Sequence, residues 1–204
     1  MAKLFFRYGT MGSGKSLDLL KVAYNYEENG MGVIILTSKI DDRYGHDIVK
    51  SRTGIGKDAT GIGDDDDIYE IIQYKKNIIS HRIDCVLVDE VQFFKKKHIH
   101  QLVKIVDVMN IPVICYGLRS DFKLEPFESS KYLMAIADEI EELKTICSEC
   151  GKKKANVNAR FDENGKIVTQ GEKIEIGGND KYRPLCRRCF SDLKKWKIWN
   201  TKII

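Results

Sequence analysis

Gly9-Thr10-Met11-Gly12-Ser13-Gly14-Lys15-Ser16 decides the reading of this chain. The stretch matches G-x-x-x-x-G-K-S/T, a loop built to cradle phosphates. Its glycines let backbone N–H groups converge on phosphate oxygens without Cβ clashes. Lys15 reaches the β- and γ-phosphates, and the Ser16 hydroxyl sits on Mg²⁺. A helix after the loop aims its positive end at the anion. Gly9 through Ser16 are therefore the expected ATP-binding set. The flanks agree with this. Leu4 to Tyr8 is a short apolar run suited to a buried strand. From Ser16 to Glu28, Leu19, Leu20, Ala23 and Tyr24 recur at helical spacing, and Asn29-Gly30 supplies a stop.

Outward from the loop, further strands are expected at Gly32–Thr37, Cys85–Val88 and Ile111–Tyr116. Helices are expected at Lys97–Met109 and at Ser129–Leu143, the latter with an apolar face of Tyr132, Leu133, Ile136 and Ile140. The segment 45–63 is rich in Gly, Asp, Ser and Thr and reads as irregular. Asp64 to Asp67 precede Ile68, Ile71 and Ile72 and read as an acidic helix cap rather than a metal site. Strands alternating with helices imply an α/β fold, a parallel sheet flanked by helices. The pattern changes at Cys147, after which come short polar segments and an Asn164-Gly165 turn. The expected division is a nucleotide-binding domain over 1–145, a zinc-binding lobe over 146–192 and a basic tail over 193–204.

Cys85-Val86-Leu87-Val88-Asp89-Glu90 is an apolar strand ending in two acids. Asp89 stands where proteins with this loop hold Mg²⁺, usually through water. Phosphoryl transfer also needs something to accept the nucleophile's proton. Glu90 is placed to activate either water or a substrate hydroxyl. Cys85 and Cys115 read as small core residues.

Cys147-x-x-Cys150 and Cys186-x-x-Cys189 are two knuckles of four thiolates, the donor set of a closed tetrahedral zinc site. A closed site leaves no position for water, so its role is structural. The gap between the pairs exceeds the ~15–20 residues usual for such knuckles, which leaves room for a hairpin and a loop.

The bulk composition sets outer limits. The chain has 204 residues, 43% apolar and 31% charged, with a formal net charge of +4. That charge does not demand nucleic acid or a membrane as partner. No run approaches the roughly 20 apolar residues of a membrane span. Met1 to Arg7 carries no signal-peptide pattern. The expected location is the cytoplasm, where six cysteines point to metal ligation or burial rather than disulfides.

Five pieces now stand in order: Gly9–Ser16, Asp89-Glu90-Val91-Gln92-Phe93, Tyr116-Gly117-Leu118-Arg119-Ser120-Asp121-Phe122, Gly177-Gly178-Asn179-Asp180-Lys181-Tyr182, and the two cysteine pairs. Together they resemble thymidine kinases of the zinc-containing type found in bacteria, poxviruses and animal cytosol, over nearly the whole chain. The resemblance implies that Glu90 takes the proton of the thymidine 5′-hydroxyl. It implies a thymine pocket of Met11, Leu118, Phe122 and Phe127, packed by Phe93. Ile174, Glu175, Ile176 and Gly177 would hold the base through their backbone as a lasso, capped by Tyr182. Asp41, Arg43 and Gln92 would belong to the ATP side. The implied zinc-ribbon lasso domain carries one structural Zn²⁺, and Mg²⁺ accompanies ATP. A homotetramer and feedback inhibition by thymidine triphosphate are implied as well.

The residues alone leave rivals open. Phe122 and Phe127 could be simple core aromatics. An adjacent Asp-Glu also occurs in nucleic-acid-dependent ATPases, and zinc ribbons often bind nucleic acid. The alternative function is therefore a zinc-ribbon, nucleic-acid-dependent ATPase. Against it stand the low net charge and the lack of a second motor domain.

Overall fold

The computed structural model describes residues 1–41, 45, 47–79, 82–173, 175, 177 and 181–194. β1 (Leu4–Tyr8) runs into the glycine loop and α1 (Lys15–Glu28) leaves it. Next come β2 (Gly32–Ser38), β3 (Ile48–Lys50), β4 (Gly56–Asp58) and β5 (Thr60–Ile62). α2 (Ile68–Ile78) leads to β6 (Ile83–Val88), a 3-10 turn at Val91–Phe93, α3 (Lys96–Met109) and β7 (Val113–Gly117). α4 (Glu128–Ile136), β8 (Glu139–Glu142), β9 (Val157–Arg160), β10 (Tyr182–Leu185) and α5 (Arg187–Leu193) follow.

Six strands form one sheet in the order β5-β2-β6-β7-β1-β8, and every pairing in it is parallel. Parallel strands are buried on both faces, so consecutive residues must feed two different cores. They do. Ile34 and Leu36, Val86 and Val88, and Val113 and Cys115 pack on one side with Ile68, Ile72, Ile99, Leu102 and Leu133 from α2, α3 and α4. Ile35, Cys85, Leu87, Ile114 and Tyr116 face the other side and meet Leu19, Leu20 and Ala23 of α1. Burial pushes the Cys85 thiol up to about 12 and Cys115 higher still, so both are inert core residues.

Two sequence expectations are corrected. The helix expected to run to Leu143 stops at Ile136, and residues 139–142 become β8. Ile140 fits the helical phase but is 43% exposed. The open edge of β1 decides the matter, because its backbone groups need partners. The Asp138 carboxylate accepts from Leu4 N–H at 2.7 Å, and Asp138 N–H donates to Leu4 O at 2.9 Å. Ala137 is already extended, and β8 pairs with β1 from Glu139 onward. The segment read as irregular contains an antiparallel hairpin, β3 with β4, and a sheet strand, β5, beside β2. The run of acids does cap α2. Asp67 Oδ1 accepts from Glu70 N–H, Asp66 accepts from Gly63 N–H, and Asp64 pairs with Lys95.

Beyond β8 the chain builds a smaller lobe, in which β9 and β10 pair antiparallel. Val157, Ala159, Phe161, Leu185 and Phe190 form its own apolar cluster around Cys147 and Cys186. The Asn164-Gly165 turn is present. Gly165 N–H donates to Asp162 O, and the Asp162 carboxylate accepts from the Asn164 and Lys166 N–H groups. Among the described residues, no helix is long and apolar enough to cross a membrane. The tail beyond Lys194, with both tryptophans, lies outside the described residues.

Candidate active site

Open parallel sheets bind ligands outside the carboxyl ends of their strands. Here that end carries the glycine loop after β1, Asp89-Glu90 after β6 and Leu118 after β7. Between them and the smaller lobe lies a cleft of about 320 Å³. Met11, Gly12, Gly14, Lys15 and Ser16 line it from the loop. Gly9 and Thr10 face a small pocket behind the loop instead. Gly14 turns the chain with φ 82°, a conformation that only glycine adopts without strain, and α1 starts there. Lys15 is buried and crosses its own loop, donating to Gly9 O at 3.1 Å and Thr10 O at 3.0 Å.

Ser16 Oγ donates to Asp89 Oδ2 at 2.8 Å. A hydroxyl and a carboxylate brought together beside a phosphate loop are the hard oxygen donors that Mg²⁺ prefers. Burial, and then the charge of Glu90, push the Asp89 carboxyl up to about 7. A buried carboxylate in that state favours a cation beside it. Asp41 follows β2 and lines the same end of the cleft. Arg43 lies outside the described residues.

Glu90 has φ 50°, rare for a residue with a Cβ. That turn separates it from Asp89, so that one acid meets Ser16 and the other meets Gln92. The Gln92 amide donates to Glu90 Oε2, while its oxygen accepts from Leu118 N–H at 2.9 Å. Gln92 is buried and reaches the cleft through this bridge. Gly117 makes the bridge possible, since a Cβ there would sit 2.7 Å from Gln92 Oε1. Gln92 thus orients Glu90 and fixes the start of the loop after β7. Gln92→Leu removes both bonds and leaves the part-buried Leu118 N–H unpaired, at a cost of about 1 kcal/mol. The expected outcome is a melting temperature lower by several degrees and a kcat lower by about tenfold. Thermal melts and steady-state assays check both.

The far end of the cleft is aromatic. Phe93 and Phe127 meet edge to face at 6.3 Å, and Phe122 is buried beside them in the lining with Leu118. The Arg160 guanidinium lies 4.0 Å over the Phe122 ring. Its donors reach Glu172 O, Gln170 O and the Glu175 carboxylate. Glu175 also pairs with Lys181 at 2.8 Å, a bond that holds its carboxyl below the usual range, and the Glu175 carbonyl accepts from Tyr182 OH at 2.9 Å. Glu175, Gly177 and Tyr182 all line the cleft. Ile174 and Ile176 lie outside the described residues.

Two further contributors complete the cleft, and of these the hairpin escaped the sequence reading. Asn158 of β9 lines the cleft, and its Oδ1 accepts from Met11 N–H at 2.8 Å. The β3–β4 hairpin forms the wall opposite the loop, through Ile48, Lys50 and Arg52. Its strands are only three residues long and carry no apolar alternation in the sequence. The Asn158–Met11 and Gln92–Leu118 bonds join residues far apart in the chain and carried no local signal.

The four knuckle cysteines converge. Their sulfur atoms lie within 4.8 Å of one another. Backbone N–H groups of Lys152 and Lys153 draw Cys150 down to about 6, while burial and then neighbouring thiols push Cys189 up to about 12. Four thiolates so close cannot all ionise unless a cation joins them, and Zn²⁺ is the ion this donor set suits.

Comparison with known proteins gives the family. A family model described as thymidine kinase matches residues 2–190. A thymidine kinase of Listeria monocytogenes serotype 4b is 53% identical over 192 residues, covering 94% of this chain and 98% of the relative. One from Mannheimia succiniciproducens is 48% identical over 98% of this chain and 100% of its own length. One from Lactiplantibacillus plantarum is 51% identical over 92% and 94%. Among solved structures, Bacteroides Pif1 bound to ssDNA aligns with 69% of this chain and 38% of its own at 14% identity and a TM-score of 0.35, too slight a likeness to support any argument. A family model that spans residues 2–190, and relatives about half identical over nearly the full length, show that the chain belongs to the thymidine kinase family.

Proposed function

We infer that this chain transfers the γ-phosphate of ATP to the 5′-hydroxyl of thymidine, giving thymidine monophosphate for nucleotide salvage. One observation carries the reading. The phosphate loop and the Ser16–Asp89 pair share a single cleft with a Gln92-held Glu90 and an aromatic end.

In this reading ATP lies along the loop from Gly9 to Ser16, with Asp41, Arg43 and Gln92 on its side of the cleft. Mg²⁺, held by Ser16 and Asp89, neutralises charge on the phosphates when bound. Thymidine lies at the aromatic end among Met11, Phe93, Leu118, Phe122 and Phe127. The lasso of Ile174, Glu175, Ile176 and Gly177 covers it, with Tyr182 fixing the loop. Glu90 takes the proton of the 5′-hydroxyl as that oxygen attacks the γ-phosphorus. The other acids in the cleft are Asp41, which follows β2, Asp89, which bonds Ser16, Asp121, which accepts from the Lys123 and Glu125 N–H groups, and Glu175, which pairs with Arg160 and Lys181. Closure of the lobe keeps water from competing with the acceptor.

The same reading divides the chain near residue 145 and gives residues 146–192 to the zinc lobe. It includes one structural Zn²⁺ at Cys147, Cys150, Cys186 and Cys189, a homotetramer, feedback inhibition by thymidine triphosphate and a cytoplasmic location. The deciding assay measures ADP formed from Mg-ATP with thymidine, deoxycytidine, deoxyguanosine or single-stranded DNA as the only addition. Turnover with thymidine alone is expected. Turnover with DNA alone would overturn the assignment and favour the nucleic-acid-dependent ATPase.

A further inference from the structure

The hairpin that overlooks the phosphate loop has no part in the steps above. Side chains of a strand alternate between faces. Val49 and Ser51 turn inward and are buried, at 2% and 5% exposure. Ile48 and Lys50 take the other face of β3, and Arg52 follows in the turn; all three line the cleft, together with Val49, Ser51 and Thr53. The turn that carries Arg52 is well held. Ser51 N–H donates to Ile55 O at 2.8 Å, Ser51 Oγ reaches the same oxygen at 3.1 Å, and Gly54 N–H donates to Ser51 O at 3.1 Å. Ser51 Oγ also shares a hydrogen bond of 2.7 Å with Thr53 Oγ1. Arg52 leans over the phosphate loop, with Nη1 3.8 Å from the point where a Cβ on Gly12 would stand.

The charges along the cleft give that position meaning. Among the described residues, its cations are Lys15, Lys50, Arg52 and Lys173. Lys15 rises from the loop itself. Lys173 belongs to the aromatic end, 5.3 Å from the Phe127 ring and bonded to Pro126 O. The positive charge facing the loop from across the cleft thus comes from the hairpin. A phosphoryl group in transfer spreads negative charge over three equatorial oxygens, and a cation there lowers the barrier. A guanidinium presents a planar fork that matches two phosphate oxygens, which an ammonium cannot do.

Building on the kinase reading above, we propose that Arg52 is a phosphate-binding residue that grips the γ-phosphate of ATP from the hairpin side, opposite Lys15. The hairpin is then a cover for the triphosphate as well as a wall of the cleft.

The test uses the full chain with Arg52→Ala and Arg52→Lys. Arg52 is exposed, so both variants are expected to fold, and a thermal melt checks this. With thymidine and Mg-ATP, Arg52→Ala is expected to lose at least about 10²-fold in kcat, below the 10³–10⁵-fold of arginine fingers elsewhere. Its affinity for ATP relative to ADP, read by calorimetry, is expected to fall about tenfold, with thymidine affinity unchanged. Arg52→Lys is expected to recover only part of the kcat. A kcat in Arg52→Ala within about threefold of the unmodified protein, or an unchanged ATP-to-ADP affinity ratio, overturns the proposal. If the unmodified protein fails to turn over thymidine, the kinase reading is what falls. The ATP-to-ADP ratio needs no acceptor and still judges Arg52.

Discussion

Glu90→Gln is expected to cut kcat by at least about 10²-fold while leaving ATP affinity close to that of the unmodified protein. The substitution keeps size and shape and removes the negative charge, and with it the capacity to take a proton. The phosphate loop, Lys15 and the Ser16–Asp89 pair do not depend on the Glu90 charge for their mutual bonds. Thymidine should also bind, since the aromatic end is unaltered. The loss should therefore fall on the chemical step, which single-turnover kinetics with saturating ATP and thymidine would isolate. Unchanged turnover would remove Glu90 from the role and turn attention to Asp41, which also lines the cleft.

The second large effect is expected from the cysteine knuckles. The smaller lobe has a limited apolar cluster, and two of its buried members, Cys147 and Cys186, are themselves part of the thiol set. Zinc in comparable small folds supplies about 10–16 kcal/mol of apparent binding energy. Whole domains are stable by only about 5–15 kcal/mol, so this lobe has no reserve to replace it. Cys147→Ser is expected to lose zinc and expose residues 146–193 to amide exchange. It should weaken thymidine binding at least about tenfold more than ATP binding. The asymmetry follows from the fold, because the parallel sheet and the phosphate loop rest on two cores that contain no knuckle residue. Normal zinc content with normal thymidine affinity in that variant would refute the account.

Much of this molecule could be read locally. The strand–loop–helix around Lys15 was legible because a short apolar run, a glycine motif and a helical period abut one another. The acids after β6 and the cysteine knuckles were legible because their chemistry is tied to close spacing. The end of α4 was not. Ile140 kept a helical phase, and only the need of β1 for an edge partner, set more than a hundred residues earlier in the chain, drew residues 139–142 into the sheet. The β3–β4 hairpin hid for a different reason. Strands of three residues carry too little pattern to rise above the polar, glycine-rich composition around them. Gln92 stood inside a recognised motif, but its contact with Leu118 N–H depends on how β6 and β7 lie together, with Gly117 leaving room for it. Glu175 was expected to act in the lasso through its backbone, which left its charged side chain without a role. Its ion pairs with Arg160 and Lys181 supply the missing reason.

The hydrogen bond from Met11 N–H to Asn158 Oδ1 has a thermodynamic side. It ties the glycine loop to β9 of the smaller lobe, which in the kinase reading covers the nucleoside. A ligand that shifts β9 must also shift the frame on which the triphosphate rests. Reciprocity then requires that whatever one substrate does to the affinity of the other, the other returns in equal measure. In the kinase reading, the two halves of the cleft are therefore expected to act as coupled binding sites rather than independent ones. They are two ends of one linked equilibrium, and the order in which the substrates arrive cannot change its sum.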